Sequence, residues 1–175
     1  KSVFAVILGT GVGAGYSYDK KIIVGPNKLT GEWGQNPIPG PMDEYEKSIK
    51  RHCGRIGAVE VLLSGPGLEN YYEHITKLKI SSREIVSLYQ NNDPVAGEVM
   101  NVYFERIARS FSTFVNILDP DIIVCGGGMS EIDGIYDEVP KRIIPYIASN
   151  FFLTPIVSAT HGSSSGVRGA AHLWN

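Results

Sequence analysis

Alternating glycines near the start of the chain could bind phosphate. Glycine occupies positions 9, 11, 13 and 15, and Thr10 supplies a hydroxyl between the first two. Glycines let the backbone approach an anion closely and direct its N–H groups at it, and the Thr10 hydroxyl adds a donor. The pattern predicts a phosphate-binding loop at Gly9, Thr10 and Gly11. A plain hairpin whose glycines serve tight packing is the alternative.

The residues around this loop separate two kinds of nucleotide site. A dinucleotide-binding G-x-G-x-x-G loop must open a helix. Here the β-like segments 16–18 and 22–24 flank a polar turn at 19–21, which is the pattern of a β-hairpin. A glycine loop between two strands is how actin-like phosphotransferases hold the terminal phosphates of ATP. The pattern therefore favours phosphoryl transfer over dinucleotide binding.

Composition and charge exclude several classes of protein. The 175 residues are 43% hydrophobic and 19% charged, with a net charge of −2, which is ordinary for one globular core. There is no run long enough to span a membrane, no signal pattern, and no basic field for nucleic acid. The two cysteines, Cys53 and Cys125, stand in unrelated contexts, which suits a reducing compartment. We expect a cytoplasmic protein without nucleic-acid or membrane partners.

Strands are predicted at both ends of the chain, with an irregular segment and helices between them. The strand-like runs are residues 3–8, 13–18, 21–24, 121–125 and 155–157. Four prolines within residues 25–42 prevent regular structure there. Helical patterns cover residues 58–63, 68–72, 81–90, 94–118, 132–148 and 166–174.

Two helix starts carry explicit capping signals. Ser81 with Glu84 forms a capping-box pattern. Asp93 precedes Pro94 at the start of a long helix with apolar residues at helical spacing. The predicted elements follow the order of three strands, several helices, and then alternating strands and helices. This order predicts a single α/β domain over residues 1–175. Its layout is ribonuclease-H-like, as in actin-like ATPases, with an initial antiparallel β-meander.

Five segments together resemble the ROK family of sugar kinases, repressors and open reading frames. They are GEWGQNP at 31–37, GRIGAVE at 54–60, NILDPD at 116–121, GGGMS at 126–130 and SGVRGAA at 165–171. Within that family the chain is most like the bacterial fructokinase or mannokinase group. The resemblance extends over residues 3–174 in the family's order.

The resemblance implies an ATP site with Mg²⁺ as the accompanying cofactor. Gly9, Thr10 and Gly11 fall on the family's second phosphate loop, in agreement with the glycine spacing. The three glycines at 126–128 (Gly126, Gly127 and Gly128) fall where the adenosine packs against backbone. A tight strand-to-helix turn is the other explanation for those three glycines.

The resemblance also implies a hexose site at Glu32, Gln35 and Glu60. Glu32 and Glu60 match two glutamates that hydrogen-bond sugar hydroxyls, and an ionised carboxylate accepts short, charge-assisted bonds from such donors. Taken alone, a glutamate on a helix such as Glu60 is more often a solvated surface charge. Gln35 replaces a family histidine that touches the sugar, and its amide can still donate or accept a bond.

The family's zinc ligands are replaced in this chain. The four ligand positions are Gln35, Arg51, Cys53 and Ala58, and a single thiolate does not hold the metal. We therefore predict no zinc, and a sugar-pocket loop held by packing instead. Arg51 is expected to pair with a surface carboxylate such as Asp43 or Glu44.

The family's amino-terminal lobe has no counterpart in these residues. That lobe carries the first phosphate motif and the aspartate that acts as general base, so no catalytic residue is assigned here. We expect the chain to be the carboxy-terminal lobe of a two-lobed kinase, inactive alone, with the missing lobe as its partner. The last helix should face that lobe through Val167, Ala170, Leu173 and Trp174. A homo-oligomer is also expected.

Two functions are compatible with the sequence. The first is an ATP-dependent hexose kinase of the fructokinase type, with fructose as the first guess for the sugar. The second is a non-catalytic, sugar-sensing domain of a transcriptional repressor, since the family includes repressors. The phosphate loop favours the kinase, whereas Glu32 and Glu60 suit both.

Overall fold

The computed structural model, which describes residues 1–171, contains a five-stranded mixed sheet. β1 (Ser2–Leu8) pairs antiparallel with β2 (Val12–Tyr18), and β2 pairs antiparallel with β3 (Lys21–Ile22). Asp19 and Lys20 form the turn between β2 and β3 with φ of 47° and 65°, the left-handed conformation that a two-residue hairpin turn requires. The strand predicted at 21–24 is therefore present, but it covers only Lys21 and Ile22.

The second half of the sheet is parallel. β4 (Ile122–Gly126) pairs parallel with β1, and β5 (Ile156–Ser158) pairs parallel with β4. The strand order is β3-β2-β1-β4-β5, so β1 lies at the centre. This order, with helices between the parallel strands, confirms the predicted ribonuclease-H-like fold class.

Seven helices accompany the sheet within residues 1–171. They are α1 (Glu44–Ser48), α2 (Val59–Leu63), α3 (Gly65–Thr76), α4 (Ser82–Gln90), α5 (Pro94–Leu118), α6 (Gly134–Arg142) and α7 (Ser165–Ala171). The Ser81–Glu84 capping box and the Asp93 cap, which accepts from Ala96 N–H at 2.8 Å, are both confirmed. None of these helices is long and apolar enough to cross a membrane.

Three helices differ from their predictions, and α1 was not predicted. The helix expected at 68–72 is α3, which already begins at Gly65 because Ser64 caps it and the first turn tolerates Pro66, and which extends to Thr76. The helix expected at 132–148 is only α6, followed by a short 3-10 turn at Ile144–Tyr146, because Pro145 has no N–H to continue the helix. The last helix is described as far as Ala171, so Leu173 and Trp174 lie outside the described residues. Val167 and Ala170 are exposed, and their facing another lobe stays a prediction.

The long helix α5 forms the centre of the hydrophobic core. Phe104, Ile107 and Phe111 are fully buried on it, and each such side chain stabilises the fold by about 1.5–3 kcal/mol. Phe114 stacks on Phe4 of β1 with ring centroids 4.0 Å apart. This contact joins α5 to the strand that carries the predicted phosphate loop.

Candidate active site

Gly9, Thr10 and Gly11 form the turn between β1 and β2. The Gly9 N–H donates to Gly11 O at 3.0 Å, and Gly9 O accepts the N–H of Gly65, the first residue of α3, at 2.8 Å. Thr10 is exposed. The turn is thus fixed to the start of α3, and the predicted phosphate-binding hydroxyl is accessible.

A second glycine turn follows β4 and lies against the end of β1. Gly127 has φ of +86°, and a Cβ on it would lie 2.3 Å from Leu8 O, so this close approach requires glycine. Ser130 closes the turn because its N–H and Oγ both donate to Gly127 O, at 3.0 and 2.7 Å. Gly126 is buried and Gly128 is exposed. The tight turn considered as an alternative is therefore present.

The two glycine turns meet at one cleft because β1 and β4 run parallel. A cavity of about 850 Å³ is lined by Gly9, Thr10 and Gly128 and by the first residues of α3 and α4. Helix N-termini carry partial positive charge and unpaired N–H groups, which favour bound anions. Gly126 and Gly127 shape the turn but are not among the lining residues. Two carboxylates, Glu69 and Glu131, also line the cleft, and Glu69 Oε1 accepts the Ser82 N–H at 2.8 Å. A phosphate-bearing ligand would therefore bind on the side of the Gly9–Gly11 turn, Gly128 and Arg83.

Sequence reasoning missed part of this cleft. Ser81, Ser82 and Arg83 line it, although Ser81 was recognised only as a helix cap. Arg83 adds a cation at the start of α4. The capping box located the N-terminus of α4, but its proximity to a glycine turn more than 70 residues earlier is a tertiary contact that no local pattern encodes.

Glu32 and Gln35 are held by a segment that lies directly on β2. A Cβ on Gly31 would lie 1.8 Å from Ala14 O, and one on Gly34 would lie 2.4 Å from Val12 O. The glycines therefore let the segment touch the strand backbone, with the Glu32 and Gln35 side chains left accessible. Gln35 Nε2 donates to Glu32 Oε2 at 3.5 Å, a long bond, so the two groups form a loose pair.

These two residues line a different cavity from that of the glycine turns. It has a volume of about 810 Å³ and also contains Arg55, whose Nη1 donates to Gln35 Oε1 at 3.2 Å. Glu60 is not among the lining residues. Glu60 instead places Oε2 beside the glycine turn, where it accepts the Val12 N–H at 3.3 Å. The structure thus brings Glu32 and Gln35 together and puts Glu60 nearer the predicted phosphate loop.

The expected partner of Arg51 was wrong. Arg51 Nε donates to Glu60 Oε1 at 2.8 Å. Asp43 instead caps α1 and pairs with Arg106 at 3.3 Å, and Glu44 pairs with Lys47 at 2.6 Å. Asp43 and Glu44 thus already have other partners, whereas Glu60 lies within reach of the Arg51 side chain.

A buried ion cluster of Glu46, Arg106 and Arg109 holds the irregular segment before α2. Glu46 is 1% exposed and accepts from Arg106 Nε at 2.9 Å and from Arg109 Nη1 at 3.1 Å. Arg109 also donates to the backbone oxygen of Pro39 at 2.7 Å. Charge-assisted bonds of this kind are strong only when each buried group is paired. The loop is therefore held by ion pairs as well as by packing.

Aromatic side chains surround the cluster. The Arg106 guanidinium lies 4.2 Å from the ring centroid of Tyr71 and 5.3 Å from that of Tyr45, within the range of a cation–π interaction. Burial raises the pKa of Tyr45 to about 12, so its ring stays neutral near pH 7. The sequence signal for this region is the capping-box pattern of Asp43 and Glu46 at the start of α1.

The positions that match the family's zinc ligands are not arranged as a metal site. Ala58 is fully buried and Cys53 is exposed. Among residues 1–171, no group of three His, Cys, Asp or Glu side chains could hold a metal ion.

Three aspartates that could be considered as general bases, Asp19, Asp119 and Asp121, lie far from the glycine turns. Asp121 accepts from the Ser2 backbone N–H at 2.7 Å, and Asp19 pairs with the amino group of Lys1. Both contacts are at the start of β1, whereas the turn follows its end. At about 3.3 Å per residue, a seven-residue strand separates them from the turn by roughly 20 Å. Asp119 is the C-cap of α5 and lines neither cavity.

Sequence comparison identifies relatives over the full chain. The ROK family profile matches residues 1–175. The N-acetyl-D-glucosamine kinase of Vibrio atlanticus is 37% identical over 176 residues, which covers 98% of this chain and 58% of that protein. The chain therefore spans less than two thirds of the length of the curated relatives it matches.

Solved structures share the fold. A ROK family glucokinase from Streptomyces griseus, in complex with glucose and AMPPNP, superimposes with a TM-score of 0.84 at 21% identity and covers 98% of this chain and 60% of that one. A ROK family transcriptional regulator, homologue of the E. coli MLC protein, gives 0.73 at 19% identity, covering 90% and 41%. At sequence identities of 21% and 19%, the similarity shows only that the fold is shared.

Proposed function

The chain belongs to the ROK family, and on that premise we propose that it is the carboxy-terminal lobe of an ATP-dependent sugar kinase. The reaction would transfer the γ-phosphoryl group of Mg-ATP to a hexose hydroxyl. The observation that carries the proposal is the cleft in which two glycine turns and two helix N-termini converge. Phosphoryl transfer depends mainly on positioning and electrostatic stabilisation, which such a cleft supplies.

The cleft has the donors that a nucleotide triphosphate requires. The Gly9–Gly11 turn offers the Thr10 hydroxyl and the N–H groups of Thr10 and Gly11, while the Gly9 N–H closes the turn. The glycines after β4 leave room for the nucleoside. Mg²⁺ would enter with the phosphates, since it usually keeps several waters and binds through substrate phosphate oxygens. We propose that the general base lies outside residues 1–175, as the family resemblance implies.

The sugar would bind through Glu32, Gln35 and Glu60. Two carboxylates from separate elements can fix the orientation of a ring by accepting its hydroxyl protons. Relatives at 34–37% identity are N-acetyl-D-glucosamine kinases, which favours an aldohexose or its N-acetyl derivative over fructose. We also propose that the intact protein is cytoplasmic, homo-oligomeric and free of zinc.

The test is phosphorylation by the intact protein across a panel of N-acetyl-D-glucosamine, glucose, mannose and fructose. Loss of a charged hydrogen bond costs about 1.5–3 kcal/mol, so Glu32→Gln should raise the KM for sugar about tenfold or more and leave the KM for ATP unchanged. Thr10→Ala should do the reverse. Glu44→Gln, at an exposed position, serves as the control.

Three results would contradict the proposal. Equal losses for both ligands in Glu32→Gln would remove the assigned role of that residue. Sugar binding without phosphorylation by the intact protein would support the sugar-sensing alternative. Robust phosphorylation by residues 1–175 alone would show that the general base does not lie elsewhere, since loss of a base costs about 10²–10⁴-fold.

A further inference from the structure

We propose that Arg51 is a positioning residue that holds the Glu60 carboxylate against the turn between β1 and β2. The inference rests on the proposed function, in which Glu60 accepts hydroxyls of the sugar. It gives Arg51 the task of keeping that carboxylate at a fixed place relative to the phosphate-binding turn. Arg51 itself need not touch sugar or nucleotide.

The contacts at Glu60 come from two sides. Arg51 Nε donates to Oε1 at 2.8 Å, and the Val12 backbone N–H donates to Oε2 at 3.3 Å. A carboxylate has about four acceptor positions, so each oxygen can still accept from a sugar hydroxyl. Arg51 therefore orients Glu60 without using up its capacity to bind.

Partial burial makes this pair different from an exposed ion pair such as that of Lys47 and Glu44. The side chains of Arg51 and Glu60 are 14% and 25% exposed, whereas those of Lys47 and Glu44 are 55% and 91% exposed. Exposed pairs contribute little because water screens them and mobile side chains must be ordered. A pair shielded from water holds its geometry better, which is what positioning requires.

The segment that carries Arg51 is itself closed by hydrogen bonds. The Arg51 N–H donates to Arg55 O at 2.8 Å, and the Gly54 N–H donates to Arg51 O at 2.8 Å. Gly54 has φ of +85°, the left-handed conformation that lets the chain reverse here. The Arg51 side chain is thus presented from a fixed turn.

Glu60 also lies directly on the glycine turn. A Cβ on Gly11 would be 3.0 Å from Glu60 Oε2, so the carboxylate occupies the space that a side chain there would need. The turn therefore limits the movement of Glu60 on the side of Oε2. Arg51 bonds the other carboxylate oxygen, Oε1, and limits its movement there.

The experiment compares Arg51→Met, Arg51→Lys, Glu60→Gln and the double variant Arg51→Met/Glu60→Gln in the intact protein, with Lys47→Met as control. We expect Arg51→Met to lower kcat/KM for the sugar about tenfold and to change the KM for ATP less than twofold. Arg51→Lys should recover part of the loss. Arg51→Met should have no further effect once Glu60 is Gln, because the two act together.

The outcomes separate this inference from the proposed function. If the wild type phosphorylates a sugar and Arg51→Met matches it, the inference is wrong and the kinase proposal stands. Equal losses of kcat/KM for sugar and for ATP, together with a lower Tm, would show that Arg51 has only a structural role. This result would also contradict the inference. If Arg51→Met does not fold, Arg51→Lys takes its place. Its kcat/KM for the sugar is compared with that of the wild type, and the comparison is repeated with Glu60→Gln present in both proteins. A wild type that neither binds nor phosphorylates any sugar removes both proposals.

Discussion

The two candidate pockets are built from different parts of the chain. The nucleotide side consists of two glycine turns and two helix starts, and a Cβ on Gly127 there would collide with Leu8 O. The sugar side has a largely apolar lining with a few polar side chains, and its supporting segment is tied to α5 by Glu46, Arg106 and Arg109. Added volume at Gly127 should therefore damage the first pocket, and loss of charge from the ion cluster should damage the second.

The largest effect is expected for Glu46→Gln. This variant leaves Arg106 and Arg109 buried with only the half-exposed Asp43 as a counter-charge, and breaking a buried pair costs about 3–5 kcal/mol. Urea unfolding followed by circular dichroism should show this loss in the free energy of unfolding. Glu44→Gln is the control and should change it by less than about 0.5 kcal/mol. Similar values for the two variants would show that the buried ion cluster does not hold the sugar side.

A smaller effect, confined to the nucleotide side, is expected for Gly127→Ala. The added Cβ meets Leu8 O at 2.3 Å in a backbone conformation that favours glycine, so the free energy of unfolding should fall by about 1–3 kcal/mol and ATP should bind more weakly. The neighbouring Gly128→Ala places its Cβ in open space in the cleft, so it should leave the free energy of unfolding nearly unchanged. Equal losses of unfolding free energy in the two variants, measured by urea unfolding, would contradict this.

Gly11→Ala tests the place where the two pockets touch. Its Cβ would lie 3.0 Å from Glu60 Oε2, which is the end of a flexible side chain and can move. We expect sugar binding to weaken by about 0.5–1 kcal/mol, a factor of about two to five, with little change in unfolding. Gly13→Ala has open space around its Cβ and should leave the KM for sugar unchanged. Identical values of that KM in both variants would argue against the contact.

The smallest effect concerns the chemistry of the two cysteines. The Arg55 backbone N–H and the Arg51 guanidinium lower the pKa of the Cys53 thiol, whereas burial raises the pKa of Cys125 to about 12. As pH rises, the reactive thiolate therefore forms first at Cys53. Iodoacetamide labelling followed by mass spectrometry should modify Cys53 alone below pH 9, and Arg51→Met should shift its midpoint upward. Earlier labelling of Cys125 would refute the assignment.

The sequence allowed the local features of the fold to be predicted. The glycine turn, the Ser81–Glu84 capping box and the start of α5 at Pro94 each depend on residues a few positions apart, so their patterns are readable. The buried ion cluster joins residues about 60 positions apart, and nothing near Glu46 identifies its partners. The Asp43 capping box does identify α1, and its recognition would have located Glu46 on a helix.

Long-range placement also determines the arrangement of the candidate site. Glu32, Gln35 and Glu60 were grouped by family resemblance, and their common role stays a prediction. Glu60 lies beside Gly11 because α2 packs near the β1–β2 turn. Arg51 was expected to bind the nearest acidic residues in sequence, Asp43 or Glu44, yet the closed turn at Gly54 directs it to Glu60. Such outcomes depend on how segments meet in space, which residue types and spacing do not specify.

The central position of β1 has a consequence for the protein as it is synthesised. The β1–β2 hairpin can form early, but Val3 lies beside Ile122 in the finished sheet. At translation rates of about 5–20 residues per second, the second edge of β1 waits on the order of 5–25 s for its parallel partner. An apolar strand with an unpaired edge is prone to pair with other chains. The strand that leads into the Gly9–Gly11 turn is therefore a segment of the nascent chain that is exposed to aggregation.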